Sequence, residues 1–472
     1  MPVSFLTEEQ ERQYSRYADE PSREQFSHYF HFDDGDRAFI NSPRGAHMRL
    51  GCAIQLGTVR FLGTFLEDPT DVPLGMVRYV AEQLEIETGN RLAEYRTSRW
   101  RWRHPIEIRE KFGYCLFADG FTQFHLNRWL YALYWTGTDR PSVLFDRAIT
   151  WLLVNKVLLP GLSVLERAIA RIRARANSRL WRRLTADITV EQRIRLDALL
   201  VVPEVGRQSP LDRLRNGPVL TSSSELLRAI VRFQEVQELA NGLPSIDLLP
   251  PTRVAVLARF ASAARAQAVA RLPDDRRLAT LLAFIRTLEA SSLDDVLDLY
   301  DVVVTRIFAD AAGIGKKARL RSIQGLDTAA IKLGKVGNLI LNEGIQDVDL
   351  RTVIFEAFPR EELASAVAQV SSLTRSDDVL YFGELRAQKN RLRFLLPLLT
   401  VINFGAAVGG KPLLDAVRYL RGIGEGKKQH GPPPTSFVPK KWRSQVRSAD
   451  GSLDLTGYKS GTPGKAGGLL KP

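Results

Sequence analysis

The sequence predicts an all-α chain: several small helical domains, including helix-turn-helix-like units, followed by a helical scaffold and a disordered C-terminal tail. Apolar residues recur at spacings of three and four along most of the chain, while the alternating pattern typical of strands is scarce. Stretches rich in proline, such as FLEDPTDVP and LPSIDLLPPT, separate the helical runs. After residue 424 the composition shifts to proline, glycine and lysine, with few residues that a core could bury.

The 472 residues are enough for several compact units, which we divide where these separators fall. Residues 1–70 predict a three-helix unit of helix-turn-helix size, and residues 71–158 predict a second helical unit. Residues 159–245 predict a basic helical segment, residues 246–424 a scaffold, and residues 425–472 the tail. The most apolar windows are too short and too often interrupted to span a membrane, and the two cysteines form no disulfide framework. We therefore expect a soluble, cytoplasmic protein.

Within the first unit, residues 43–66 predict one long helix. Its apolar stripe at helical spacing comprises Leu50, Ile54, Phe61 and Phe65. Three glycines, at positions 51, 57 and 63, each weaken a helix interior by about 1 kcal/mol relative to alanine, which predicts that tertiary packing stabilises this helix. Arg49 and Arg60 lie on a different face, and together with the preceding Arg44 they are the basic candidates of this unit.

The second unit contains an alternation of arginine and tryptophan, RTSRWRWRHP, at residues 96–105. Its basic candidates are Arg96, Arg99, Arg101 and Arg103. Two interpretations are open: the guanidinium groups contact phosphates, or the long basic stems cover an aromatic core. We expect Trp100 and Trp102 to pack inside the protein and the arginines to contact phosphates, because stacking of indoles on bases suits single strands.

A second aromatic stretch, DGFTQFHLNRWLYALYW at residues 119–135, also predicts a helix. Its expected core residues are Phe121, Phe124, Trp129, Leu130 and Leu133. His125 and Arg128 flank that predicted core. We expect His125 to be a hydrogen-bonded histidine at the core edge, and we include Arg128 among the residues that contact a polyanion.

The strongest basic element is GLSVLERAIARIRARANSRLWRRL, at residues 161–184. Its apolar face comprises Leu165, Ile169, Ile172, Ala176 and Leu180. The candidates on roughly the opposite face are Arg167, Arg171, Arg175 and Arg182, with Arg179 at the edge. Such a helix can lie along a phosphate backbone, or its arginines can form a solvated face and cover neighbouring helices. The sequence favours neither interpretation on its own.

The distribution of charge supports a polyanion partner. The formal net charge is +13, yet residues 1–100 carry −5 from 11 basic and 16 acidic groups. The excess is concentrated in residues 151–200, which carry +6 from 10 basic and 4 acidic groups, and in residues 401–472, which carry +8 from 12 and 4. A concentrated excess indicates a binding surface better than a diffuse one does.

The sequence predicts no active site. The paired aspartates at 274–275, 294–295 and 377–378 each precede an apolar helical run, where helix capping explains them. The segment GIGKK at residues 313–317 lacks the spacing of a phosphate-binding loop, and the scattered histidines and two cysteines complete no zinc set. We therefore predict no metal or other cofactor for this chain.

Several long segments resemble the N-terminal half of transposases of the Tn3 family, in order from about Phe5 to Tyr458. They are FLTEEQERQYSRY, FHFDDGDRAFI, RLGCAIQLGTVRFLGTFLEDPTDVP, VLERAIARIRARANSRLWRRL, LPDDRRLATLLAFIRTLEA, REELASAVAQV and VPKKWRSQV. The resemblance implies that the helical units up to residue 245 bind the terminal inverted repeats of a transposon as double-stranded DNA. It also implies that residues 246–424 form a dimerisation region, and hence a homodimer. In that family a later domain binds a divalent metal through two aspartates and a glutamate and cuts DNA.

This chain departs from the family pattern after DGSLDLTGY, where it continues as KSGTPGKAGGLLKP. We interpret this junction after residue 458 as a truncation or frameshift, and no residue here is assigned to the catalytic triad. The leading hypothesis is a sequence-specific DNA-binding and dimerising part of a transposase that does not cut DNA by itself. Two alternatives stay open: a subunit of a split transposase whose catalytic half is a separate chain, and a helical scaffold or regulatory protein without specific DNA binding.

Overall fold

The computed structural model describes residues 5–42, 45–137, 140–204, 206–324, 326–373 and 381–426 without 382, 386 and 408, and then 434–436, 438, 443, 446 and 470–471. The prediction of an all-α chain is confirmed, because helices account for nearly all of the regular structure in these residues. Within the same residues, no helix is both long enough and apolar enough to cross a membrane. The candidate Arg44 lies outside the described residues. So does the segment after residue 458, where the sequence suggested a truncation or frameshift, except for residues 470–471.

The helices follow one another with short connections. The first ten are α1 (Glu8–Gln13), α2 (Arg23–Tyr29), α3 (Asp34–Ile40), α4 (Ala46–Leu62), α5 (Leu74–Gln83), α6 (Arg91–Thr97), α7 (Trp100–Phe112), α8 (Gly120–Thr136), α9 (Pro141–Val154) and α10 (Leu162–Thr185). The next nine are α11 (Val190–Ala198), α12 (Pro210–Leu214), α13 (Ser223–Ala240), α14 (Pro251–Ala263), α15 (Ala266–Ala270), α16 (Asp274–Gln324), α17 (Leu326–Ile340), α18 (Asp347–Ala357) and α19 (Arg360–Leu373). A 3₁₀ turn (Lys389–Leu392) precedes α20 (Leu395–Val401) and α21 (Lys411–Gly424), and β1 (Gly405–Ala406) pairs antiparallel with β2 (Leu470–Lys471).

The chain divides into two compact units. Unit 1 comprises residues 1–193 and 244–284, and unit 2 comprises residues 194–243 and 285–472. The division into five segments made from the sequence is finer than this, and its boundaries stay predictions.

Helix α4 is the centre of the first core of unit 1. The long helix predicted there is confirmed from Ala46 to Leu62, where Gly63 ends it in the left-handed conformation with φ of 73°. Residues 50–59 are all buried, and α4 contacts α2, α3, α5, α6 and α7. A Cβ at Gly51 would clash with the ring of Tyr95, and one at Gly57 with the ring of Phe30. The glycines that weaken α4 in isolation therefore allow aromatic rings to pack against its backbone.

The second core of unit 1 forms where α8, α9 and α10 pack together. The predicted apolar face of α10 is confirmed, because all five of its residues are buried. The predicted core of α8 is partly wrong. Leu130 is buried, and Trp129 and Leu133 are partly buried, but the side chains of Phe121 and Phe124 are 73% and 58% exposed. These two rings lie away from the buried face of α8, which is centred on Leu126 and Leu130.

Unit 2 has its own core, formed by α13, the second part of α16, α20 and α21. Phe394 and Leu420 are fully buried in it, together with Leu226 of α13 and Val296 of α16. A separate contact joins α17 and α19, where the Lys332 ammonium lies 2.6 Å from the Glu362 carboxylate. The helical scaffold expected for the region after residue 245 is thus seen in the part of it that the structure describes.

Candidate nucleic-acid interface

A row of exposed arginines runs along α10 on the side opposite its buried face. It comprises Arg167, Arg171, Arg175, Arg179 and Arg182, all predicted from the sequence as candidates. The spacing of three or four residues places them on one face of a helix that has 3.6 residues per turn. The one carboxylate of α10, Glu166, is buried, so it is not part of the exposed row.

Helix α8 lies beside this row, and the two helices enclose an open groove of about 760 Å³. The α8 wall consists of Gln123, Phe124, Asn127, Arg128 and Tyr131. The α10 side consists of Ala168, Arg171, Ile172, Arg175, Arg179 and Arg182. Four of the predicted α10 arginines and Arg128 of α8 therefore line one surface. The uncharged polar residues of the α8 wall were not predicted from the sequence, although Gln123, Asn127 and Tyr131 recur at spacings of four.

The guanidinium groups of this groove have no acidic partner in the part of the chain that the structure describes. Among the described residues, neither Arg128 nor any of the five arginines in the row on α10 forms an ion pair. Three of the α10 arginines use Nε to bond a backbone carbonyl one turn earlier: Arg167 to Ser163 at 2.9 Å, Arg171 to Arg167 at 3.4 Å, and Arg182 to Ser178 at 3.3 Å. These bonds orient the side chains and leave their terminal N–H groups for an external acceptor.

At one end of the groove, aromatic residues of α8 hold Arg179. Its guanidinium lies 5.5 Å from the centroid of the Trp135 ring, and Nη1 donates to the Tyr131 hydroxyl at 3.4 Å. Arg173 has a different role, because it is half-buried with its guanidinium 5.6 Å from the Tyr134 ring. Arg173 is therefore less available to a ligand than the five exposed arginines of the row.

The candidates on α4 have partners within the protein. The two terminal nitrogens of Arg60 each donate at 2.7 Å to a different oxygen of Asp36, a buried carboxylate of α3. Arg49 donates to the side-chain oxygen of Asn41 at 3.3 Å and is half-buried. Arg60 therefore neutralises a buried acid, which makes it a weaker candidate for a DNA contact than the arginines of the groove.

In the arginine–tryptophan stretch at residues 96–105, two of the candidate arginines form ion pairs within the protein. Arg96 lies 3.0 Å from the Asp68 carboxylate, and Arg103 lies 3.2 Å from that of Glu107. Hydrogen bonds from Thr70 lower the pKa of the Asp68 carboxyl, desolvation opposes this shift, and the charges of Arg96 and Arg101 lower the pKa further. This part of unit 1 is thus a weaker candidate than the groove.

The two tryptophans of this stretch differ. Arg99 and Arg103 both lie over the half-buried Trp100, with guanidinium carbons 6.0 and 5.1 Å from its centroid. Trp102 is 59% exposed with Arg101 stacked at 4.6 Å, so the expectation that both indoles pack inside the protein is wrong for Trp102.

A buried polar network fixes the helices behind this stretch. The Gln55 amide donates to the Tyr95 hydroxyl at 2.8 Å and to the Arg101 carbonyl at 3.0 Å. The Tyr95 hydroxyl lies 2.8 Å from Nδ1 of the fully buried His104. No local sequence pattern indicates this network, which joins α4, α6 and α7. His125, by contrast, is exposed between the rings of Phe121 and Phe124, so its predicted place at a core edge is wrong.

In the part of the chain that the structure describes, no three His, Cys, Asp or Glu side chains are grouped so that they could hold a metal ion. The pair Asp274–Asp275 occupies the first turn of α16, as predicted for helix capping. The pair Asp294–Asp295 lies inside α16 instead, where Asp295 accepts from Arg232 at 2.8 Å, so its assignment as a cap is wrong. The pair at 377–378 lies outside the described residues.

Comparison with known proteins extends these observations. A family model described as a domain of unknown function, DUF4158, matches residues 5–172, which include all of α8 and the N-terminal part of α10. The chain is 40% identical over 461 residues to the transposase for transposon gamma-delta of Escherichia coli (strain K12), covering 97% of this chain and 46% of that protein. It is 27% identical over 437 residues to the transposase for transposon Tn3926 of Escherichia coli, covering 91% and 44%. It is also 27% identical over 444 residues to the transposase for transposon Tn501 of Pseudomonas aeruginosa, covering 93% and 44%. The chain thus spans about half the length of the curated relatives it matches.

Proposed function

The chain belongs to the Tn3 family of transposases, and we propose that it binds the terminal inverted repeats of its transposon as double-stranded DNA. The observation that carries the proposal is the groove between α8 and α10, where exposed arginines from both helices have no acidic partner among the described residues. Guanidinium groups without a carboxylate bind phosphates with two parallel hydrogen bonds. The proposed contacts need no cofactor.

The length of the arginine row supports a duplex ligand. From Arg167 to Arg182 the helix rises by about 22 Å, at about 1.5 Å per residue. Over that length of axis a DNA duplex carries about 13 phosphate charges. Several guanidinium groups can therefore contact one phosphate backbone together, and each contact adds affinity that depends on salt. A small anion would engage only one or two of them.

We expect the purified chain to shift a labelled terminal-repeat duplex in a gel at physiological salt. Specific binding is typically about 10³-fold or more tighter than binding to unrelated DNA, so excess scrambled duplex of the same length should not displace the repeat. The titration is repeated from low to high salt, with the scrambled duplex as the control. Equal loss of both duplexes as the salt rises would contradict the proposal and indicate only generic attraction to polyanions.

We also propose that the chain forms a homodimer through unit 2. The support is a set of large apolar side chains that are more than half exposed in residues 326–373, namely Ile331, Ile340, Leu341, Val348 and Val367. Helix α17 packs against α18 and α19, and we propose that their exposed apolar groups form one patch of the kind that marks an interaction surface, which a second copy of the chain would cover symmetrically.

For this dimer, light scattering after size exclusion should give a mass of twice the 53.0 kDa of the chain. The double substitution Leu341→Asp and Val348→Asp is expected to give monomers, because it would place two charges in an apolar interface. Val219→Asp, at an 88% exposed position outside α17–α19, is the matched control and should stay dimeric. A monomeric wild-type chain at micromolar concentration would refute the homodimer.

A further inference from the structure

We infer that α8 reads the sequence of the DNA, with Asn127 and Arg128 as residues that determine specificity, while the α10 arginines hold the phosphate backbone. This inference rests on the proposed function and deepens it by dividing the groove into two roles. Its starting observation is that the two walls of the groove differ in chemistry: α10 contributes only arginine as a polar group, whereas α8 contributes amides, a guanidinium and aromatic rings.

The N-terminal half of α8 is placed to enter a groove of DNA. Its inner face is anchored by the buried Leu126 and Leu130, so its opposite face points outward. On that outer face Asn127 and Arg128 are exposed, and the Phe124 ring beside them is 58% exposed. An α-helix with its side chains is about 10–12 Å across, which fits a major groove about 12 Å wide. In helix-turn-helix proteins the N-terminal residues of the recognition helix contact base edges.

The side chains of this face have the functional groups that distinguish bases. An asparagine amide offers one donor and one acceptor, which match N7 and the amino group of adenine, and arginine matches O6 and N7 of guanine. An aromatic ring such as Phe124 can contact the methyl group of thymine. Within the described residues, neither Asn127 nor Arg128 has a side-chain hydrogen bond or an ion pair, so binding DNA breaks no internal bond.

The position of α10 gives it the complementary role. It packs against α8 through its buried face, so its arginine row runs beside the outer face of α8. When α8 lies in the major groove, Arg171 and Arg175 on the same surface come close to the phosphates that border that groove. Phosphate contacts fix the register of a protein on the duplex but carry no sequence information directly.

The test compares four forms of the full chain: wild type, Asn127→Ala, Arg128→Ala and Arg171→Ala as the matched control. Each is titrated with the terminal-repeat duplex and with the scrambled duplex over a range of salt. Asn127→Ala and Arg128→Ala are each expected to lower the preference for the repeat by about 10-fold, as loss of a bidentate base contact does. Arg171→Ala should weaken binding to both duplexes equally and reduce the salt slope by about 1.

A second measurement changes the DNA instead of the protein, so its result with the wild-type chain does not depend on whether a variant folds. Single purines of the repeat are replaced by 7-deazapurines, which lack the N7 acceptor in the major groove. The affinity of the wild-type chain should fall about 5-fold or more when the substitution is at one or two particular positions. At one of the guanine positions, the Arg128→Ala variant should bind the substituted and the unmodified duplex with equal affinity.

The outcomes separate the two claims. If the wild-type chain shows no preference for the repeat, both the proposed function and this inference fail. If it prefers the repeat but both α8 variants keep the full preference, or no purine position responds, base reading by α8 is refuted and the proposed function stands.

Discussion

Replacing Arg60 with alanine is expected to lower the free energy of unfolding of unit 1 by about 3 kcal/mol. The two terminal nitrogens of Arg60 bond both oxygens of Asp36 at 2.7 Å, and the Asp36 side chain is only 5% exposed. Removing one partner of a buried ion pair leaves the other charge without compensation, which costs about 3–5 kcal/mol. We expect the lower end because the Arg60 side chain is 25% exposed, which allows water to replace part of the interaction.

Urea unfolding followed by tryptophan fluorescence measures this loss, since six of the seven tryptophans lie in unit 1. Arg49→Ala is the matched control, because Arg49 is on the same helix and donates to the neutral side-chain oxygen of Asn41, and it has no carboxylate partner among the described residues. It should change stability by less than about 0.5 kcal/mol. Adding Asp36→Asn to Arg60→Ala should restore part of the loss, since the buried charge is then gone. If Arg60→Ala binds DNA more weakly but is as stable as the wild type, then Arg60 contacts DNA and the expected loss of stability is refuted.

The fold class follows from local patterns, and these patterns were sufficient for most helices. The three short helices at the N-terminus begin with capping boxes, formed by Thr7 with Gln10, Ser22 with Gln25, and Asp33 with Asp36. The spacing of apolar residues identified both faces of α10, because a helix with one strong apolar stripe can bury only that stripe. Capping residues and an apolar stripe both lie within a single helix, so they can be recognised without knowing the tertiary structure.

The errors arose where two faces of one helix are both apolar. Along α8, large aromatic residues occur on every side, so residue type does not show which face is buried. The structure buries the side with Leu126 and Leu130, because α9 and α10 pack there, and leaves Phe121 and Phe124 exposed. Trp102 is exposed for a related reason: its neighbour on the helix, His104, occupies the buried position through its contact with Tyr95. Which face is buried depends on tertiary neighbours that spacing alone does not reveal.

In the candidate site, too, the features that lie within one helix were predicted and those that depend on tertiary contacts were not. The α10 half of the groove was predicted, because it needs only the periodicity of one helix. The α8 half was missed except for Arg128, because no local pattern states that α8 and α10 are neighbours. The ion pair of Arg60 could not be predicted for the same reason: its partner Asp36 is 24 positions away in the sequence and belongs to another helix. Charge counts show where basic residues are abundant, but only tertiary structure shows which of them already have an acidic partner.

Replacing Arg171, Arg175 and Arg182 together with alanine is expected to produce the largest loss of DNA binding. Each removed phosphate contact lowers the slope of log K against log salt by about 0.9, so the triple variant should lose about 2.7 from the wild-type slope. At 0.1 M salt the same three contacts correspond to a loss of about 10²- to 10³-fold in affinity. All three guanidinium groups line the groove without an acidic partner among the described residues, so their removal leaves no carboxylate unpaired. Stability should therefore change little, and gel-shift or anisotropy titrations over a range of salt measure the effect.

The matched control for this variant removes the same net charge elsewhere. Arg12, Arg91 and Arg228 are exposed and each lies in an ion pair, with Glu8, Glu94 and Glu225 respectively. Replacing these three with alanine should change DNA affinity by less than about 3-fold and leave the salt slope nearly unchanged, because none of them lines the groove between α8 and α10. Equal losses in the two triple variants would mean that the net charge of the protein drives binding. A loss confined to the α10 variant would identify α10 as the helix that holds the phosphate backbone.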